Sequence, residues 1–269
     1  MSTQTNTGQP GATPAGTAPL LDVAGLSISF DGLRAVDDVS FSVSDGEVFG
    51  IIGPNGAGKT TLLNAVSGLL PLQDGIIKIA GTQVNRLRPD RITALGVGRT
   101  FQAAEVFDEF EVLDYMLLGR FGARPKSLAA AALRLPAARR PERRDRAEAT
   151  ALLERFGVAA VRHQPLRGLP YGLRKLIDLL RALFGQPRLL LLDEPTSGTA
   201  SDDRVLLREA LAEAAAEGVT VVLVDHDVQF VSNACNRVLV MNFGKTLGIG
   251  SPAEVLARPD VQAAYVGLE

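Results

Sequence analysis

Three stretches of this chain combine residue types that suit phosphate chemistry. The first, Gly53-Pro54-Asn55-Gly56-Ala57-Gly58-Lys59-Thr60-Thr61, sets three glycines ahead of a lysine and two threonines. Such a turn lets backbone N–H groups close around an anion, and a helix N-terminus behind it adds partial positive charge. Lys59 would reach the β- and γ-phosphates of a nucleotide, and the Thr60 hydroxyl would ligate Mg²⁺. The second stretch, Asp193-Glu194, ends a run of four leucines. An acid at such a strand end binds Mg²⁺ through water, and a second can polarise the attacking water. The third is His226, which follows the apolar run 219–224 and could hydrogen-bond a γ-phosphate. The other histidine, His163, lies in a polar connection and is assigned no role. These residues predict a nucleoside triphosphate site.

A site of this kind needs strands and helices that bring its parts to one edge. Residues 47–52 read as a buried strand and 62–66 as the first turns of a helix, the flanks a phosphate-binding loop requires. Upstream, 20–30 and 35–43 read as strands joined by a turn at Asp31-Gly32. Strands are also predicted at 76–80, 97–102, 188–194, 219–224, 237–242 and 245–249. Helices are predicted at 113–118, 147–156 and 171–183, and two short ones near the end. Ser201 is expected to cap a further helix whose first turn carries Asp202 and Asp203. The expected architecture is α/β: a phosphate-loop core with a mostly parallel sheet, an N-terminal antiparallel β part, and a helical insertion. Residues 1–19, poor in apolar side chains, are expected to be a disordered tail. A domain would span 20–269, with the helical insertion at about 103–186.

Bulk properties narrow the partners. A formal net charge of −2 and a pI near 5.8 give no overall pull towards nucleic acid, and none is expected as a partner. A single cysteine, Cys235, excludes an intrachain disulfide. No signal peptide and no run of 18 or so apolar residues is visible, so work at a membrane would require docking to a protein that spans it. The arginines Arg139, Arg140, Arg143, Arg144 and Arg146 alternate with Glu142, Asp145 and Glu148, the pattern of a solvated helix face. Binding to anionic lipid headgroups is the alternative for that cluster.

The loop Gly53 through Thr61, Gln102, Leu169-Pro170-Tyr171-Gly172, the stretch 189–195 and His226 stand in the order and rough spacing of the ATP-binding subunits of ABC transporters. The resemblance runs from about residue 20 to the C-terminus. Arg99-Thr100-Phe101-Gln102, the arginine-rich insertion, Leu169-Pro170-Tyr171-Gly172 and Ala264-Tyr265-Val266-Gly267 resemble the branched-chain amino acid importers within that family. The resemblance implies ATP and Mg²⁺ as cofactors. It makes Phe30 the residue that stacks on adenine, with Ala35 and Val36 flanking the ring. Gln102 would sense the γ-phosphate through Mg²⁺ or water, Asp193 would hold the metal, Glu194 would be the general base and His226 the γ-phosphate switch. Leu169, Pro170, Tyr171 and Gly172 would be the signature presented to ATP on a second ATPase subunit, in a homo- or heterodimer. Further implied partners are transmembrane permease subunits, near Phe107 and Phe110, and indirectly a substrate-binding protein. The place of work would be cytoplasmic, on the inner face of the membrane.

Two departures from the family pattern stand out. The usual signature is Leu-Ser-Gly-Gly-Gln, but here Pro170 stands at the serine, Tyr171 at the first glycine and Leu173 at the glutamine. Pro170 has neither hydroxyl nor N–H, so one donor across the dimer is missing. After Glu194 the family ends its turn on Asp or Asn, whereas this chain has Gly198-Thr199-Ala200. Both departures predict a site that depends on its partner. Competing readings are an ATP-dependent regulatory protein with weak turnover, or the ATPase of a urea or amide importer or a lipopolysaccharide exporter.

Overall fold

Three five-residue strands are buried along their whole length: β3 (Val48–Ile52), β7 (Leu189–Asp193) and β8 (Thr220–Val224). Strands apolar on both faces can persist only between two covering layers. In the computed structural model, which describes residues 18–100, 107–120 and 136–266, these three form the middle of a six-stranded sheet. With β6 (Val97–Arg99), β9 (Arg237–Asn242) and β10 (Lys245–Gly250) the order is β10-β9-β3-β8-β7-β6. All neighbours are parallel except β10, which pairs antiparallel with β9. Alternate side chains divide the core in two. Leu190, Leu192, Val221, Leu223, Val238 and Val240 face one cluster. Leu189, Leu191, Val222, Val224, Leu239 and Met241 face the other, as the period of two requires.

On the second face lies an antiparallel sheet of β1 (Leu21–Phe30), β2 (Leu33–Val43), β4 (Asp74–Ile79) and β5 (Thr82–Gln83), in the order β2-β1-β4-β5. Its first hairpin turns at Asp31 (φ 46°) and Gly32 (φ 86°), the paired left-handed residues that match the twist of a two-residue hairpin. The helix Lys59–Val66 fills the space beneath it with Leu62 and Leu63. The other face carries the helices Tyr171–Phe184 and Ser201–Ala216, with Val112–Leu117 and Pro136–Arg155 packed beyond them. The short helices Val228–Ala234, Pro252–Leu256 and Pro259–Val266 close the C-terminal part.

Several expectations are corrected. Ser201 is the first helical residue rather than the cap; Ala200 occupies the cap position. The Asp203 carboxylate accepts the Ala200 N–H at 3.3 Å, the reciprocal bond that an acid at the third helical position makes, while no side chain caps the first-turn N–H groups. The helix expected at 147–156 begins at Pro136, because charged residues with helical propensity extend it beyond its apolar stripe. The helix Pro89–Ala94 was not expected: six residues with a single large apolar side chain, Ile92, carry too little periodicity. The strand expected at 97–102 ends at Arg99, with Thr100 already outside it; Gln102 lies outside the described residues, as does most of the 1–19 tail. Within the arginine cluster, Arg144 pairs with Glu148 at 2.6 Å, Arg146 with Asp114 at 2.8 Å, and Asp145 with Arg120 at 2.7 Å. The side chains of Arg139, Arg140 and Glu142 lie outside the described set.

The β9–β10 turn holds a bulky residue in the left-handed region. Phe243 has φ 44° and is 85% exposed. Its backbone conformation suits Asn or Gly far better than an aromatic residue. Phe243→Asn is expected to raise stability by up to about 1 kcal/mol, a rise of a few degrees in thermal midpoint. A lowered midpoint in a calorimetric scan would show instead that the ring makes a stabilising contact.

Candidate active site

The register of the parallel sheet sets the site. Ile51 lies opposite Val224, Val224 opposite Asp193, and Leu191 opposite Arg99. The chain therefore leaves β3 into the glycine loop, β7 into Glu194 and β8 into Asp225-His226 along one edge, the carboxyl edge where parallel sheets bind ligands. The loop is clamped on both sides. A Cβ at Gly53 would stand 2.2 Å from the Met241 carbonyl oxygen, and one at Gly58 (φ 96°) 2.1 Å from that of Ala35. The Gly244 N–H donates to the Ala57 carbonyl at 3.1 Å, tying the β9–β10 turn to the loop. Gly58 is also the N-cap of the helix Lys59–Val66 and provides no side-chain cap, so the first-turn N–H groups face the loop's concavity.

Lys59 is buried, and its Nζ donates to the carbonyls of Gly53 (2.8 Å) and Pro54 (2.9 Å). Burial lowers its pKa, while the charges of Glu194, Asp225 and Asp193 work in the opposite direction. An added anion would therefore be welcomed by a desolvated ammonium. Next along the helix, Thr60 Oγ1 donates to Asp193 Oδ1 at 3.5 Å. The Asp193 side chain is fully buried, and burial raises its pKa; Arg99 opposes that rise and Glu194 adds to it. A threonine hydroxyl and a buried carboxylate side by side are the hard oxygen donors that a Mg²⁺ ion shared with phosphates prefers, so these residues fit that metal.

Glu194 adopts φ 48°, a conformation of order 1–3 kcal/mol uphill for a non-glycine residue that persists where the surroundings impose it. Here they do. Its N–H donates to the Val224 carbonyl at 2.8 Å, and its own carbonyl accepts Lys175 Nζ at 3.1 Å. The Glu194 carboxylate lies 4.0 Å from His226 Nδ1, which is also 3.7 Å from Asp225 Oδ1. Asp225, with no exposed surface, accepts the Thr196 N–H (3.0 Å) and hydroxyl (2.7 Å) and the N–H groups of His226 (2.7 Å) and Asp227 (3.0 Å). It locks the turns after β7 and β8 together. Sequence reasoning gave Asp225 no role, although its place, directly after a buried strand, is the same as that of Glu194.

The stretch Leu169-Pro170-Tyr171-Gly172 opens the helix Tyr171–Phe184, with Pro170 as N-cap and Leu169 buried in the core. A Cβ at Gly172 would meet Asp203 Oδ2 at 1.8 Å, and one at Gly198 would meet the Tyr171 ring at 2.8 Å. This helix start and the turn after Glu194 are thus interlocked within one chain, and Gly172 is required for that packing. Phe30 ends β1 beside the hairpin turn, 46% exposed. Ala35 touches the loop through its carbonyl, but Val36 is wholly buried, so it cannot flank a ring at the surface; it alternates into the core opposite Ile28. Phe107 packs on Tyr115 and Phe110, with centroids 5.4 and 5.7 Å apart. Phe110 remains 40% exposed.

A glycine loop clamped at its base, paired acids and a histidine along the carboxyl edge of a parallel sheet define a phosphate-loop nucleotide hydrolase. Residues 36–197 match the profile described as "ABC transporter", and the chain belongs to that family, as an ATP-binding and ATP-hydrolysing subunit. It is 34% identical over 250 residues to the high-affinity branched-chain amino acid transport ATP-binding protein LivG of Salmonella typhimurium, and 33% identical to BraF of Pseudomonas aeruginosa, each match covering 93% of this chain and 98% of the relative. The lipopolysaccharide export system ATP-binding protein LptB of Haemophilus influenzae is 29% identical, over 92% of this chain and 97% of the relative. Among solved structures, the ADP conformation of MJ1267, an ATP-binding cassette of an ABC transporter, superposes with a TM-score of 0.80 at 27% identity, over 93% of this chain and all of that one.

Proposed function

We propose that this chain energises the import of branched-chain or other amino acids, working on the inner face of a membrane beneath permease subunits fed by a substrate-binding protein. The observation that carries the chemistry is the meeting of the helix start at Lys59 and Thr60 with the strand-end residues Asp193, Glu194 and His226 at the carboxyl edge of the sheet. In this reading Lys59 exchanges the Gly53 and Pro54 carbonyls for phosphate oxygens, and Phe30 stacks on adenine. Thr60, Asp193 and Gln102 would hold Mg²⁺, which would supply positive charge to offset that of the phosphate oxygens. The Glu194 carboxylate accepts a proton from the attacking water, and the γ-phosphate oxygens accept a hydrogen bond from His226. The departing phosphate removes that contact and lets two closed subunits separate. Leu169 to Gly172 serve the ATP of a second subunit, and the exposed face of Phe110 belongs to the permease contact.

The amino acid assignment rests on the relatives of 33–34% identity, against 29% for the lipopolysaccharide exporter. Among the described residues, no helix is long and apolar enough to cross a membrane, in keeping with attachment through a permease. The test is reconstitution of the native permease and this chain in vesicles. ATP turnover is expected to rise several-fold when the binding protein carries leucine, isoleucine or valine. Stimulation by urea or by lipopolysaccharide instead would overturn the substrate assignment.

A further inference from the structure

Arg99 closes β6 and its side chain reaches three others on two neighbouring elements. Its Nη1 donates to Ser67 Oγ at 2.6 Å, and its Nη2 to Asn64 Oδ1 at 2.7 Å and Asp193 Oδ2 at 3.4 Å. Asn64 lies on the helix that begins with Lys59, and Ser67 is its C-cap. One guanidinium therefore ties the phosphate-loop helix to the strand that carries Asp193. The two oxygens of Asp193 are engaged on opposite sides, Oδ1 by Thr60 and Oδ2 by Arg99. Contacts at both oxygens, at 3.5 and 3.4 Å, favour one rotation of the carboxylate about its last bond. The single 3.4 Å contact is also longer than the 2.7–2.9 Å of a strong charge-assisted pair, so it orients the carboxylate while leaving lone pairs for a cation.

The backbone of Arg99 looks the other way. Its carbonyl accepts Arg181 Nη2 at 3.2 Å. Arg181 is bonded to Asp178 through Nε at 3.0 Å, and Asp178 Oδ1 accepts the Tyr115 hydroxyl at 2.6 Å. Arg181 also lies 5.2 Å over the Tyr115 ring. Tyr115, Asp178 and Arg181 are all buried, and in such surroundings a hydrogen-bonded network rigidifies what it joins. Tyr115 belongs to the helix Val112–Leu117, in the stretch beyond the parallel sheet.

We propose that Arg99 is a positioning residue: it aims the Asp193 carboxylate at the Mg²⁺ position, and through Arg181, Asp178 and Tyr115 it makes that aim depend on how the Val112–Leu117 helix is packed. The inference rests on the metal reading given above. Groups that hold a metal ligand typically change metal affinity by about 10–100-fold when removed. Binding of the β,γ-imido analogue of ATP to the purified chain is measured by calorimetry, with and without Mg²⁺, and the Mg²⁺ concentration for half-saturation is recorded.

Arg99→Ala is expected to raise that concentration at least about tenfold with Mg²⁺-free nucleotide affinity unchanged within about twofold. Arg99→Lys keeps the charge but cannot span Ser67, Asn64 and Asp193, so an intermediate rise is expected. Tyr115→Phe, which removes only the far hydroxyl, is expected to give a rise of about threefold. Should Arg99→Ala fail to fold, the pair Asn64→Ala with Ser67→Ala frees the guanidinium from the helix and is expected to raise the concentration as well. Half-saturation within twofold of the wild type in both Arg99→Lys and that double variant would overturn the role of Arg99. Nucleotide binding by the wild type that ignores Mg²⁺ would instead overturn the metal reading itself.

Discussion

Glu194→Gln is expected to lower ATP turnover by about 10²–10⁴-fold, the usual worth of a general base, while ATP affinity stays within a few-fold. The substitution is nearly isosteric, and the features that hold the residue act on its main chain. The Glu194 N–H bond to Val224 and the Lys175 bond to its carbonyl survive, and with them the left-handed backbone. What disappears is the only function of the side chain in the proposed reaction, acceptance of a proton from water. Charge effects run in both directions. Glu194 is the largest support for the Lys59 ammonium, and it is also the acid that disfavours ionisation of Asp193. Losing it weakens one phosphate contact and sharpens one metal contact, so binding changes little. Steady-state phosphate release and calorimetric binding measure the two quantities, and gel filtration with ATP tests for a trapped dimer. A variant that retains more than a tenth of wild-type turnover, with no ATP-bound dimer, would favour a regulatory protein that closes on ATP without needing a base.

The parts of this site that were legible in the sequence are those fixed by local chemistry. A glycine loop between a buried strand and a helix, and acids directly after leucine runs, announce themselves because their neighbours in sequence are their neighbours in space. Asp193, Glu194 and His226 were placed on one edge by strand alternation alone, and the register of β3, β8 and β7 brings them level. What stayed hidden depends on side chains far apart in the chain. Arg99 was marked only as part of a family-like tetrapeptide, yet its partners lie 32, 35 and 94 residues away. Asp225 was passed over for the histidine beside it. Ser201 was given the cap by its residue type, and the structure places Ala200 there, a one-residue boundary that propensity cannot decide. Gly172 had been read for what it offers a partner, whereas its lack of a Cβ is required first by Asp203 of the same chain.

That last contact bears on the second large effect, expected for Pro170→Ser. In the chain as it stands, the helix Tyr171–Phe184 starts without a side-chain cap, and Pro170 holds φ −54° and ψ 147°. A serine adopts those angles without strain, and at the N-cap its oxygen accepts an N–H of the first turn, worth about 1 kcal/mol. Loss of the proline ring frees the unfolded chain by roughly 0.4–1 kcal/mol, so the two changes nearly cancel in stability. The hydroxyl proton is a separate matter. An oxygen that accepts from its own helix still has its O–H to donate, and in the closed dimer proposed above that proton would be available to the partner's γ-phosphate. A hydrogen bond to a charged group contributes about 1.5–3 kcal/mol, which is roughly 10–100-fold in rate if it is made fully only at the transition state. The purified variant is therefore expected to hydrolyse ATP at least about tenfold faster than the wild type at an unchanged thermal midpoint. Mixed with a second ATPase bearing the usual signature, the wild-type chain is expected to gain turnover as well, because its own loop, acids and histidine then meet a complete signature. A variant that melts like the wild type, forms the ATP-dependent dimer and hydrolyses no faster would show that Pro170 is no handicap, and that the weakness assigned to this half of the dimer does not exist.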